Sequence, residues 1–243
     1  MTPEIIALMA AAASIAFVHT LLGPDHYLPF VALARGRGWS LRRALGVTLF
    51  CGSGHIVGSV LLGFLGLYLG VQLGTLEWIE GVRGDLAGWA LVAFGLAYLS
   101  WGLRRAQRSR EHSHWHSHGS LRHRHPHDHL AQHAHPHTGP DAPEDGVPQR
   151  GLVAWALFIV FVLGPCEPLI PLLMFPAARE SAAGVVAVTG VFALVTIATM
   201  LGAVVVALWG AQRLHFPGLA RFGQAIAGGV VLCCGLAITV LGL

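Results

Sequence analysis

The sequence predicts an all-α, multi-pass membrane protein: six transmembrane helices in two inverted three-helix repeats, with breaks in helices 1 and 4. Three observations lead there. The 243-residue chain is 54% hydrophobic and 11% charged, with a mean hydropathy of +0.63, more apolar than a soluble domain requires. Its apolar runs are long enough to cross a bilayer. Finally, the stretch Leu22-Gly23-Pro24-Asp25-His26-Tyr27-Leu28, inside the first run, is echoed 141 residues later by Leu163-Gly164-Pro165-Cys166-Glu167-Pro168-Leu169.

Residues 5–34 read as a helix to about Leu22, a break, and a shorter helical piece from Pro24, where proline suits a first turn. Arg35, Arg37, Arg42 and Arg43 mark the first exit from the membrane. A second run covers about 44–73, and 74–85, with Glu77, Glu80, Arg83 and Asp85, reads as a polar connection. The third run, about 86–103, stops at Arg104 and Arg105. Residues 106–150 are rich in His, Arg, Pro, Ser and Asp, a composition that predicts disorder in the absence of a ligand. Apolar runs return at about 151–177, 183–210 and 222–242. The organisation predicted is therefore a first repeat over 1–105, a His-rich loop over 106–150, and a second repeat over 151–243. Thr48 matches Thr189, and Gly95-Leu96-Ala97 matches Gly235-Leu236-Ala237. A repeat with an odd number of spans must reverse its orientation in the membrane.

All 15 basic residues are arginine. Thirteen fall in the connections after spans one, three and five, against Arg83 and Arg179 on the other face. That asymmetry predicts both termini outside and the His-rich loop in the cytoplasm, with the protein in the cytoplasmic membrane. The bilayer is the first partner implied, and a homo-oligomer is compatible with the sequence. No basic motif with interleaved aromatics points to nucleic acid. Glu4 is the only charge before Asp25, so the first run lacks a signal peptide's basic start and is expected to stay as a helix. The cysteines Cys51, Cys166, Cys233 and Cys234 all lie in apolar segments, unlike an extracellular disulfide framework.

His19, Asp25 and His26 sit at membrane depth, where ionisable groups are costly and mark function by default. The two histidines are seven residues apart, and the Gly-Pro break can fold that separation toward one centre. Imidazole with carboxylate suits borderline cations such as Ni²⁺, Co²⁺ and Zn²⁺. His55, in Cys51-Gly52-Ser53-Gly54-His55, is either a further ligand or an interhelical hydrogen bonder. Near the second break, Cys166, Glu167 and Thr196 are candidates for the transport pathway or for proton coupling, with structural pairing as the alternative for Glu167. Loop histidines His112, His114, His116, His118, His123, His125, His127, His129, His133, His135 and His137 form a composition suited to metal capture. Mostly neutral at cytoplasmic pH, they are free to ligate.

His19, Asp25-His26, Gly54-His55 and a six-span plan with a His-rich central loop resemble the NicO/NiCoT nickel–cobalt transporter superfamily, with the urease-accessory and HupE-type membrane proteins as relatives. The family pattern is a histidine, four residues, then Asp-His; here five residues, Thr20 to Pro24, intervene. The resemblance implies that His19, Asp25, His26 and His55 bind the metal in the permeation path. It implies a transporter rather than an enzyme, with Ni²⁺ or Co²⁺ (Zn²⁺ as a third candidate) as cargo and no tightly bound cofactor. A cytoplasmic collector of metal favours export slightly over uptake. Gly164-Pro165-Cys166 is also similar to DsbD/CcdA-type membrane thiol reductases, so a thiol–disulfide conduit using Cys166 is the alternative. Such a conduit needs a second cysteine, and the first break carries Asp25 and His26 instead. No HExxH, nucleophile elbow or catalytic aspartate pair supports an intramembrane enzyme.

Overall fold

The computed structural model describes residues 2–108, 112–118, 121–127, 149–166, 168–178, 182–213 and 221–241. Helix α1 (Pro3–Leu22) starts where the extended Thr2 accepts the Ile5 N–H on its side-chain oxygen, with Pro3 and Glu4 in the first turn. It stops at Gly23, whose N–H still reaches His19 O, because Pro24 has no N–H to continue the ladder. A single 3₁₀ turn, Pro24–His26, leads into α2 (Leu28–Arg37). That helix closes on Gly38 at φ +63°, with the Trp39 N–H returned to Ala34 O, the left-handed cap that glycine adopts without penalty.

Ser40 caps α3 (Leu41–Tyr68) through the Arg43 N–H. Gly70, at φ +65°, then turns the chain, and only residues 69–72 separate α3 from α4 (Leu73–Arg108). The polar connection expected over 74–85 is therefore helix. Its charges at 77, 80, 83 and 85 extend the third span instead of ending it.

The expected fourth run is in two pieces, α5 (Gln149–Leu163) and α6 (Leu169–Ala178), on either side of Gly164-Pro165. Helices α7 (Ala182–Gln212) and α8 (Gly223–Leu241) complete the bundle. Five helices (α1, α3, α4, α7 and α8) are long and apolar enough to cross a bilayer, which makes the chain a multi-pass membrane protein by length and composition. Large side chains such as Leu61, Trp89, Leu194 and Val206 stay exposed on them, as on a surface turned to lipid.

In the segment expected to be disordered, α4 runs to Arg108, and the backbone of β1 (His112–His118) pairs antiparallel with β2 (Leu121–His127). The physical reason is in the sequence. His-x-His alternation has the period of a strand, and Gly119-Ser120 between the two runs is a hairpin signal.

Core packing falls into clusters around the two breaks. Phe30, Leu33, Cys51, Leu157, Phe161 and Met200 gather α2, α3, α5 and α7. Ala12, Ala16, Leu169, Leu173 and Phe192 gather α1, α6 and α7. Among the described residues the most extensive helix pairing is α4 with α8, running antiparallel on small residues. Gly88 faces Thr239, Gly235 faces Val92, Gly95 faces Leu232, Gly228 faces Leu99, and Gly102 faces Ala225. At Gly95, Gly102, Gly228 and Gly235 the nearest atom met is a backbone nitrogen of the partner, so any side chain there would push the helices apart.

Candidate functional site

The first break carries three of the four predicted ligands, and α3 brings the fourth. His19 lies in the last turn of α1, Asp25 and His26 in the 3₁₀ turn, and His55 midway along α3. The rings of His19 and His26 are 5.0 Å apart between centroids, and those of His26 and His55 5.4 Å, both pairs close to perpendicular. Gly23 makes this folding possible: a methyl group there would stand 2.5 Å from His26 Nδ1 and 3.0 Å from Asp25 Oδ1.

Hydrogen bonding assigns the tautomers. His26 Nδ1 is 3.1 Å from Gly23 O and 3.2 Å from Asp25 Oδ1, both acceptors, so Nδ1–H donates to them. His55 Nδ1 is 3.2 Å from Phe161 O and donates likewise. The Nε2 lone pairs of both rings are left over. Among the described residues, Nε2 of His19, His26 and His55 are all buried without a hydrogen-bond partner. Buried unpaired polar atoms destabilise a fold, so three in one place need an explanation. Histidines that ligate metals show this construction, with one nitrogen anchored on a carbonyl or carboxylate and the other presented to the ion.

These side chains edge a cavity of about 610 Å³. Its other walls are Phe161, Gly164 and Pro165 of the second break, Trp78, Gly81, Val82 and Asp85 of α4, and Ile238 of α8. Both Gly-Pro breaks thus open onto one space. Among the described residues no three His, Cys, Asp or Glu donors are gathered into a ready metal cage. The imidazoles line a chamber; they do not enclose a point.

The second break is covered by charges that sequence reading had placed in a connection. Arg83 Nη2 donates to Val162 O at 2.8 Å and Gly164 O at 3.4 Å, carbonyls that the end of α5 leaves without helical partners. Arg83 Nη1 pairs with Glu80 Oε1, and Glu80 Oε2 accepts the Cys166 N–H at 3.1 Å. Glu80 is 0% exposed. The available signal was their spacing: opposite charges at i and i+3 share a helix face.

The remaining candidates separate. Glu167 lies outside the described residues. The Cys166 side chain packs in the α1–α6–α7 cluster and Cys51 in the cluster around Phe30. Thr196 is fully buried, as is Thr20, which sequence reading did not single out; among the described residues neither hydroxyl has a partner, and neither residue lines the cavity. In the hairpin, the backbone register sets His112 opposite His127, His114 opposite His125 and His116 opposite His123. His129, His133, His135 and His137 lie outside the described residues. No family model, curated protein or solved structure gives a significant match to this chain.

Proposed function

We propose that this protein moves a divalent transition-metal cation, Ni²⁺ or Co²⁺ foremost and Zn²⁺ third, across the cytoplasmic membrane through the chamber between the two breaks. One observation carries the reading: three buried imidazole Nε2 atoms without partners at the edge of a single cavity, two of them on rings whose Nδ1–H is anchored. The donor set excludes a hard-cation site built from oxygen alone and fits borderline metals. An open arrangement suits transport, since an ion must bind strongly enough to enter and weakly enough to leave.

In this reading the cation binds His19, Asp25, His26 and His55, and Glu167 on the second repeat helps release it, in step with a proton. The chain spans the membrane six times as two inverted repeats, with α5, the break and α6 as the fourth span. Support comes from the α4–α8 contacts. Gly88 and Gly228, and Gly95 and Gly235, are each 140 residues apart, and a shift of 140 turns the Gly88–Thr239 contact into Gly228–Leu99 with the helices exchanged. Since Arg83 packs within the bundle, the basic excess on the face of the His-rich loop becomes larger still. This supports a cytoplasmic loop that collects metal.

The test is cell-associated Ni, Co and Zn in a metal-sensitive bacterial host expressing the wild type, Asp25→Ala or His26→Ala at matched membrane levels. Lower metal with the wild type, lost in both variants, establishes export; higher metal, lost in both, establishes uptake. No difference for any metal refutes the reading.

A further inference from the structure

The end of α5 offers its last carbonyls to two side chains from different helices. His55 of α3 takes Phe161 O, and Arg83 of α4 takes Val162 O and Gly164 O. The guanidinium reaches them because Gly58, one turn beyond His55, has no side chain: a methyl group there would lie 2.8 Å from Val162 O and 3.0 Å from Arg83 Nη2. Glu80 fixes the other edge of the guanidinium and binds the Cys166 N–H, so one ion pair bridges both sides of the break. The signs agree with the partial charges present, a cation on the carbonyl end of α5 and an anion on an amide that leads into α6.

We propose that Arg83, held by Glu80, is a positioning residue of the cation site. By occupying Val162 O and Gly164 O it pins the end of α5, so that Phe161 O stays where His55 Nδ1–H can donate to it and His55 Nε2 remains available as a ligand. The pair never meets the ion. It acts through the backbone of the second break upon a ligand that serves the first. This inference rests on the reading of the three imidazoles as metal ligands. A planar fork is needed, because two carbonyls and a carboxylate are held at once, and a lysine ammonium cannot reproduce that geometry.

The test uses the full-length chain purified in detergent, with Co²⁺ as the probe, because its visible absorption reports the geometry and identity of its ligands. Affinity and spectrum are measured for the wild type, Arg83→Lys, the neutral pair Glu80→Gln with Arg83→Gln, and Gly58→Ala, each checked for helix content. The double variant avoids leaving a buried carboxylate unpaired, and Gly58→Ala disturbs the seam with both charges intact. Folded variants are expected to bind Co²⁺ about 10- to 100-fold more weakly, the usual effect of losing support behind a ligating histidine, with altered bands. Wild-type affinity and bands in folded variants overturn this inference and leave the histidine site standing. No Co²⁺ binding by the wild type overturns the histidine site and this inference together. If the charge variants do not fold, Gly58→Ala decides alone by the same two outcomes.

Discussion

Replacing Gly95 with alanine adds one methyl group where α4 meets the backbone of α8. The new carbon would stand 2.6 Å from Leu232 Cα and 2.9 Å from Leu232 Cβ, and backbone cannot turn aside as a side chain can. Carbon atoms at rest need about 3.5 Å or more, so the helices must part by about 1 Å, enough to forfeit a quarter to a half of each contact's attraction along the seam. Overpacking of this kind costs about 1–3 kcal/mol. The comparison is Gly190→Ala on α7, where the added carbon meets nothing within 4 Å and only the helix-propensity gain of about 0.8–1.0 kcal/mol applies. Gly95→Ala gains the same helix propensity, so the two variants should differ by the overpacking cost alone, about 1–3 kcal/mol, with Gly95→Ala the less stable. Reversible unfolding in mixed micelles, followed by helical circular dichroism, measures the gap. Equal stability of the two would refute the argument that backbone contact, and not composition, explains these glycines.

If the chamber binds the cation as proposed, metal should stabilise the fold, because the unfolded chain does not assemble His19, Asp25, His26 and His55 at one place. Ni²⁺ at 100 times its Kd is expected to raise the unfolding free energy by at most about 2.7 kcal/mol, less whatever the histidines of the unfolded chain bind. A chelator should reverse the gain, and His26→Ala should not show it. Deleting residues 112–127 is expected to change metal tolerance in the expressing host while leaving the helical bundle folded; unaltered tolerance would reduce the hairpin to a spacer. Replacing all four cysteines with alanine should leave transport in place, as measured by cell-associated metal. Its loss would put the thiol-redox reading first.

The two breaks were legible because proline and glycine act locally. Pro24 ends α1 by lacking an N–H, whatever surrounds it. His19, Asp25, His26 and His55 could be singled out because ionisable groups stand out against apolar neighbours, and all four line one cavity. Glu80 and Arg83 were misread because charge at the edge of an apolar run has two meanings, exit from the membrane or burial in pairs. Sequence alone does not give the partners that decide between them, Val162 O, Gly164 O and the Cys166 N–H, which lie some 80 residues away. The hairpin was missed for the opposite reason. Polar composition was weighed above the two-residue period that His112–His118 displays.

The seam between α4 and α8 has a further consequence. Its contacts are those of an isologous interface, in which a surface binds its own likeness turned end for end; most such interfaces join separate subunits, and this one joins a chain to itself. A surface of that kind does not need its two faces on one polypeptide. The first 105 residues carry Gly88, Gly95 and Gly102 on the face that meets α8. If the two halves insert as the inverted pair proposed above, the covalent link through residues 106–150 keeps both halves in every molecule.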